Sequence, residues 1–191
     1  MVSARTFAAA LAVAAPLASA ANFDNTKPFV LSTEIVKGDV KFENQYITSF
    51  NSDASESALI GTSNAADAIE WSINGTQLVR KLSGNQIFLV EQQPTDSDAP
   101  IGYELVNISN VPGTSGWTLQ SASDLPTATL VHDAQYGRQN FQGFALCQVN
   151  GTAPSPDRGA QLQLLWKSAD SKVADDYKTC ADVNLVASNP V

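Results

Sequence analysis

The only histidine, His132, stands beside Asp133. A histidine next to an acid is the raw material of a general base held by a carboxylate. Here the geometry works against it. Thr127 to His132 reads as a strand, neighbours on a strand point to opposite faces, and Asp133 is then turned away from the ring it would have to orient. No nucleophile motif joins them either. Gly61-Thr62-Ser63-Asn64-Ala65 departs from the G-x-S-x-G elbow at its last position, with no convincing strand-to-helix turn to carry it.

Paired carboxylates are the other route to catalysis. Asp175-Asp176, Asp96 with Asp98, Glu34 and Glu70 are available. Glycoside hydrolysis needs two acids about 5–10 Å apart across a cleft, and a secreted hydrolase of that kind stays open as an alternative. Asp96-Ser97-Asp98 could begin a calcium loop, but no glycine-centred loop with a closing glutamate follows. Zinc lacks a ligand set, with one histidine and two cysteines in the chain. We expect no metal and no cofactor.

Binding chemistry falls to the three tryptophans. Trp71 and Trp166 sit at inward parity with Ile and Leu neighbours and read as core. Trp117 follows Gly113-Thr114-Ser115-Gly116, and we expect it to be the exposed indole that stacks on a ligand. Three sequons, Asn74-Gly75-Thr76, Asn107-Ile108-Ser109 and Asn150-Gly151-Thr152, offer N-glycosylation. Asn74 and Asn150 each precede a glycine at a turn; Asn107 lies within a strand and must face outward to be used.

The elements that carry these residues are short strands. Phe144 to Val149, Gln161 to Trp166 and Cys180 to Val186 each alternate apolar and polar positions. The first and third hold the only two cysteines, and we expect a Cys147–Cys180 disulfide stapling the last strand to an earlier one. Upstream, Phe29 to Ile35, Tyr46 to Phe50, Ala58 to Ile60, Tyr103 to Ile108, Trp117 to Gln120 and Thr127 to His132 read the same way. Ile69, Trp71 and Ile73 alternate up to Asn74-Gly75, and Thr76 to Val79 follow. Asn-Gly between such runs signals a type I′ hairpin. A second turn at Ser83-Gly84-Asn85 leads into Ile87 to Val90, making three consecutive antiparallel strands. Only Ser168 to Tyr177 has the pattern of a short helix. The expectation is a single antiparallel all-β domain, a β-barrel or β-sandwich, with a β-trefoil as alternative although no threefold repeat is visible.

Residues 1–20 read as a secretory signal peptide: Arg5, an apolar run from Phe7 to Leu17, and the cleavage site Ala18-Ser19-Ala20. The domain then spans 21–191. Of 11 basic residues only Arg5 falls in the leader, which leaves ten against 19 acids and a net charge of −9. That disfavours nucleic acid and anionic membranes, which need a basic face. No later apolar stretch approaches the ~20 residues of a membrane span. About 170 residues suit one core that does not depend on disulfides. In an oxidising compartment two cysteines favour a bridge.

Gly143-Phe144-Ala145-Leu146-Cys147, Leu164-Leu165-Trp166, Cys180-Ala181-Asp182-Val183-Asn184-Leu185 and Pro28-Phe29-Val30-Leu31-Ser32-Thr33 together resemble a family of small secreted proteins from filamentous fungi (ascomycetes) whose domain has no assigned function. The resemblance implies a secreted all-β domain and carries over no catalytic residue. The expected function is a non-catalytic extracellular protein associated with a cell wall, polysaccharide or glycoprotein surface. A barrel with an apolar interior would raise a further alternative, a small-lipid carrier. Oligomeric state is left open.

Overall fold

The computed structural model describes residues 22–49, 57–82, 85–92, 103–110, 113–121, 125–133, 141–149, 161–168 and 177–190. Within them the chain is all-β, with twelve strands and two single 3₁₀ turns, Val40–Phe42 and Ala65–Asp67. The strands are β1 (Val30–Lys37), β2 (Tyr46–Ser49), β3 (Ser57–Thr62), β4 (Ser72–Asn74), β5 (Gln77–Leu82), β6 (Asn85–Gln92), β7 (Tyr103–Ser109), β8 (Trp117–Gln120), β9 (Thr127–His132), β10 (Phe141–Val149), β11 (Gln161–Ser168) and β12 (Tyr177–Ser188). The helix expected over Ser168 to Tyr177 falls mostly outside the described residues; its first and last residues lie in β11 and β12.

Six strands close on themselves in the order β1-β2-β3-β11-β10-β12, every pairing antiparallel. The trefoil alternative is excluded by this order, because the barrel uses the first three and last three strands rather than pairs spaced along the chain. The intervening strands extend the sheet. β4, β5, β6 and β7 form a meander that joins β11 and β3 through β7, while β9 and β8 join the far end of β12. β12 holds this together. Its residues 182–188 pair β1 on one edge, and its other edge is shared between β10 and β9.

Alternation decides the interior. Leu31 and Thr33 of β1, Ile47 of β2, Leu59 of β3, Leu146 of β10, Leu164 and Trp166 of β11, and Ala181, Val183 and Leu185 of β12 are all buried. They are successive i, i+2 positions, as the pleat requires. Thr33 is tolerated there because its hydroxyl donates to Phe42 O and accepts from Gln45 N, which leaves no unsatisfied group. The packing is tight at Gly61, where a Cβ would lie 3.0 Å from Leu146 Cδ2.

On the outer face Cys147 and Cys180 stand directly opposite each other across β10 and β12, with Cα atoms 4.1 Å apart, and are disulfide-bonded. Lys167 of β11 reaches Asp182 of β12 at 2.7 Å across the intervening β10, where the small Ala145 lies opposite both Leu165 and Asp182. At the end of β1 a bulge places Ile35 and Lys37 opposite the consecutive Val183 and Asp182. Val36 is the extra residue and stands 62% exposed. Gly38 then turns the chain with φ +135°.

One turn differs from the sequence reading. The β4–β5 loop is Gly75-Thr76, flanked by the pair Asn74↔Gln77. Gly75 has φ +63° and Thr76 is not among the positive-φ residues. That is the II′ pattern, with glycine at the first central position, instead of type I′ on Asn74-Gly75.

Candidate functional site

His132 is not an available base. It lies on β9 opposite Trp117 of β8. Its ring packs on the indole at 4.6 Å between centroids, and its Nε2 lies 2.9 Å from Ser115 O. A carbonyl only accepts, so Nε2 carries the proton and donates it. Burial lowers the His132 pKa below its ordinary value, against smaller upward pulls from the Ser115 carbonyl and Asp133.

Trp117 is the clearest correction to the sequence reading. It is 0% exposed, whereas an open indole was expected. The Gly/Ser/Thr loop before it is pinned onto the β4–β5 hairpin: Gln77 Nε2 donates to Gly113 O at 3.1 Å, Ser115 bridges Gln77, and Trp117 N donates to Thr76 O at 2.9 Å. The indole stacks on Phe144 with centroids 5.8 Å apart. Trp71 and Trp166 are each 1% exposed, as their parity implied.

Five of the described carboxylates hold local structure. Asp24 accepts from the Thr26 amide and hydroxyl at 3.0 and 2.6 Å, and these bonds lower its pKa. Glu43 Oε2 accepts from Ile35 N at 2.6 Å, and Asp39 Oδ1 from Lys41 N at 3.0 Å. Asp67 Oδ2 accepts from Asn64 Nδ2 at 3.0 Å, and Glu34 Oε2 from Asn184 Nδ2 at 3.3 Å. Glu70 differs: it is exposed, and no described residue pairs with its carboxylate. Asp96, Asp98, Asp175 and Asp176 lie outside the described residues. Among the described residues no group of three His, Cys, Asp or Glu is placed to hold a metal.

Glu70 borders a cleft of about 320 Å³, lined by Thr26, Pro28, Glu70, Trp71 and Ser72. Two chain segments far apart in sequence build it. Phe29 N donates to Trp71 O at 2.9 Å, and Trp71 N donates to Phe29 O at 2.7 Å. This antiparallel bridge buries Phe29 and Trp71, and the same alternation turns Glu70 and Ser72 the other way. The opposite wall is fixed from the C-terminal end. Asn189 Oδ1 accepts from Asp24 N at 2.7 Å, while its Nδ2 donates to Asp24 O at 3.0 Å and to Pro28 O at 3.2 Å. Thr26 is held by Asp24 in turn. Of the lining residues the sequence reading had singled out Glu70 as an acid, Trp71 as core and Pro28 only within a family motif. Asp24-Asn25-Thr26 carries a turn signal, but nothing local says that Asn189 will clamp it.

Of the sequons, Asn74 is exposed at the end of β4, and a Cβ built on Gly75 would meet nothing within 4 Å. Asn107 lies on β7, its backbone opposite Ala58 and Val90. Asn150 lies outside the described residues, as do residues 1–20, where the sequence reading expects a signal peptide.

The geometry defines a class: an all-β domain on a closed six-stranded antiparallel barrel with one cross-strand disulfide. Residues 26–189 match the family described as Domain of unknown function (DUF7907), and the chain belongs to that family. No curated protein and no solved structure matches it.

Proposed function

We propose that this chain is a small secreted protein of the fungal extracellular kind, non-catalytic, and associated with a cell-wall polysaccharide or glycoprotein surface. The observation that carries the reading is the Cys147–Cys180 bond, with Cys147 itself 0% exposed. Disulfides form and persist in oxidising compartments, and the A-x-A leader supplies the route. The described acids support the non-catalytic part, since Asp24, Glu34, Asp39, Glu43 and Asp67 are each tied to a structural hydrogen bond. Among the described residues the cleft is lined by one acid, Glu70, where hydrolysis of a glycosidic bond uses two. A net charge of −9 leaves a neutral glycan unopposed and repels nucleic acid.

No observation favours the lipid carrier, because leucines, valine and Trp166 fill the barrel interior up to contact with Gly61. N-glycans at Asn74, Asn150 and Asn107 complete the reading, with Asn74 the most accessible. The test is a screen of the purified chain against insoluble wall polysaccharides and a glycan array. Retention on at least one polysaccharide or glycan class is expected. Failure to bind any of them, or release of soluble sugar from one, overturns the reading.

A further inference from the structure

We infer that the cleft between Thr26-Pro28 and Glu70-Ser72 is a saccharide subsite, in which the Glu70 carboxylate accepts hydrogen bonds from two adjacent hydroxyls of one sugar ring. This rests on the reading above and names where it happens. At about 320 Å³ the cleft stands at the lower end of the ~300–1,000 Å³ typical of ligand sites, a size suited to one ring of a polymer instead of an extended chain.

Its chemistry is that of a polyol site. Glu70 offers two acceptor oxygens side by side, a match for a vicinal diol, and hydrogen bonds to a carboxylate are the stronger kind. The carboxylate has no partner among the described residues that a ligand would have to displace. Ser72 adds a hydroxyl able to donate or accept. The Thr26 hydroxyl donates to Asp24 Oδ1 and so presents its lone pairs. Pro28 supplies an apolar ring surface for the C–H face of a sugar.

The walls are fixed before any ligand arrives. The paired Phe29–Trp71 backbone bonds hold one side, and the three Asn189 bonds hold the other. A preorganised site loses less entropy on binding. Glu70, the one carboxylate among the described lining residues, also sets the charge of the ligand. A phosphate or uronate would be repelled, and a neutral sugar is accepted.

Asn74 lies on β4 two residues beyond Ser72, so a glycan there would stand beside the cleft and blur the comparison. The experiment therefore runs on an Asn74→Gln background. Co-sedimentation with the best-retained wall polysaccharide is compared for that chain and for its Glu70→Gln plus Ser72→Ala derivative. In parallel, ¹H–¹⁵N spectra are recorded with neutral oligosaccharides cut from the same polymer. The expected result is at least a tenfold loss of affinity in the derivative, with an unchanged thermal midpoint, and oligosaccharide-induced shifts centred on the Glu70, Trp71 and Ser72 amides. Equal binding by the derivative, or shifts centred elsewhere, removes the subsite and leaves the wall-binding reading standing. No binding by the parent to any polysaccharide or oligosaccharide removes both. Tighter binding of lysine-rich peptides than of any sugar, lost in the same derivative, would reassign the cleft to a cationic partner and overturn the proposal.

Discussion

Replacing Gly38 by alanine places a methyl group where the barrel has no room for it. The new Cβ would lie 2.7 Å from Ala181 Cβ, 2.8 Å from Ala181 Cα and 3.3 Å from Cys180 O. Two of these atoms are backbone, in a strand pinned on both edges and beside a half-cystine, so they cannot swing aside as a side-chain tip would. Overpacking of this kind costs roughly 1–3 kcal/mol. The backbone adds a second cost, since φ +135° is a region that side-chain-bearing residues avoid, at about 1–3 kcal/mol. Together they take ~2–6 kcal/mol from a total stability of ~5–15 kcal/mol, and at ~2–4 °C per kcal/mol for a domain of this size the midpoint falls by roughly 5–20 °C. Gly75→Ala is the matched control. Gly75 also has positive φ, +63°, but a Cβ there meets nothing within 4 Å, so only the backbone cost applies. Calorimetry of both variants compares a positive-φ glycine with no room for a Cβ with one that has room. A Gly38→Ala midpoint equal to or above that of Gly75→Ala would refute the packing argument.

Trp117→Ala should lower stability by about 3–5 kcal/mol, the cost of removing a buried aromatic, as read by urea unfolding; a loss below ~1 kcal/mol would mean that the indole is not in the core. Thiol titration of the denatured, unreduced chain should find no free thiol, and Cys147→Ser with Cys180→Ser should cost roughly 3–4 kcal/mol by the chain-entropy estimate for 33 residues. The His132 pKa is lowered from 6.5 in the folded chain. The unfolded state therefore binds this proton first, and the stability contribution is complete above about pH 6.5 and is lost as pH falls through 6.5 toward the lower folded value. Denaturant midpoints between pH 8 and 5 should show that loss, and His132→Gln should flatten it; an unchanged slope in the variant would assign the dependence to other groups.

The strands were legible in the sequence because each half-buried segment repeats every second residue, as in Leu31-Thr33-Ile35 and Val183-Leu185-Ala187. Barrel closure was not. β1 pairs with β12 about 150 residues away, and no local signal names that partner. The cysteines were the one long-range clue, since adjacent strands in an oxidising compartment are where a bridge forms. Trp117 shows how two cues can conflict. Trp117 and Leu119 alternate with Thr118 and Gln120, the same parity that correctly buried Trp71, but the Gly/Ser/Thr loop before it argued for exposure. The loop lost because its backbone bonds to the β4–β5 hairpin. The Asn-Gly turn moved by one residue for a related reason: a loop's type follows the strand register, here Ile73↔Leu78, and cross-strand packing sets that register. The cleft stayed hidden because its walls come from residues 26–28 and 70–72 and its clamp from Asn189, and only the folded sheet brings these together.

We propose that the chain holds an extracellular glycan surface without cutting it. The direct measurement is co-sedimentation of the purified chain with isolated cell-wall material, with reducing ends counted in the same supernatant. The account predicts saturable retention of the chain on the wall and no rise in reducing ends over the incubation. A chain that stays wholly in solution, or new reducing ends that disappear in Glu70→Gln, would contradict it.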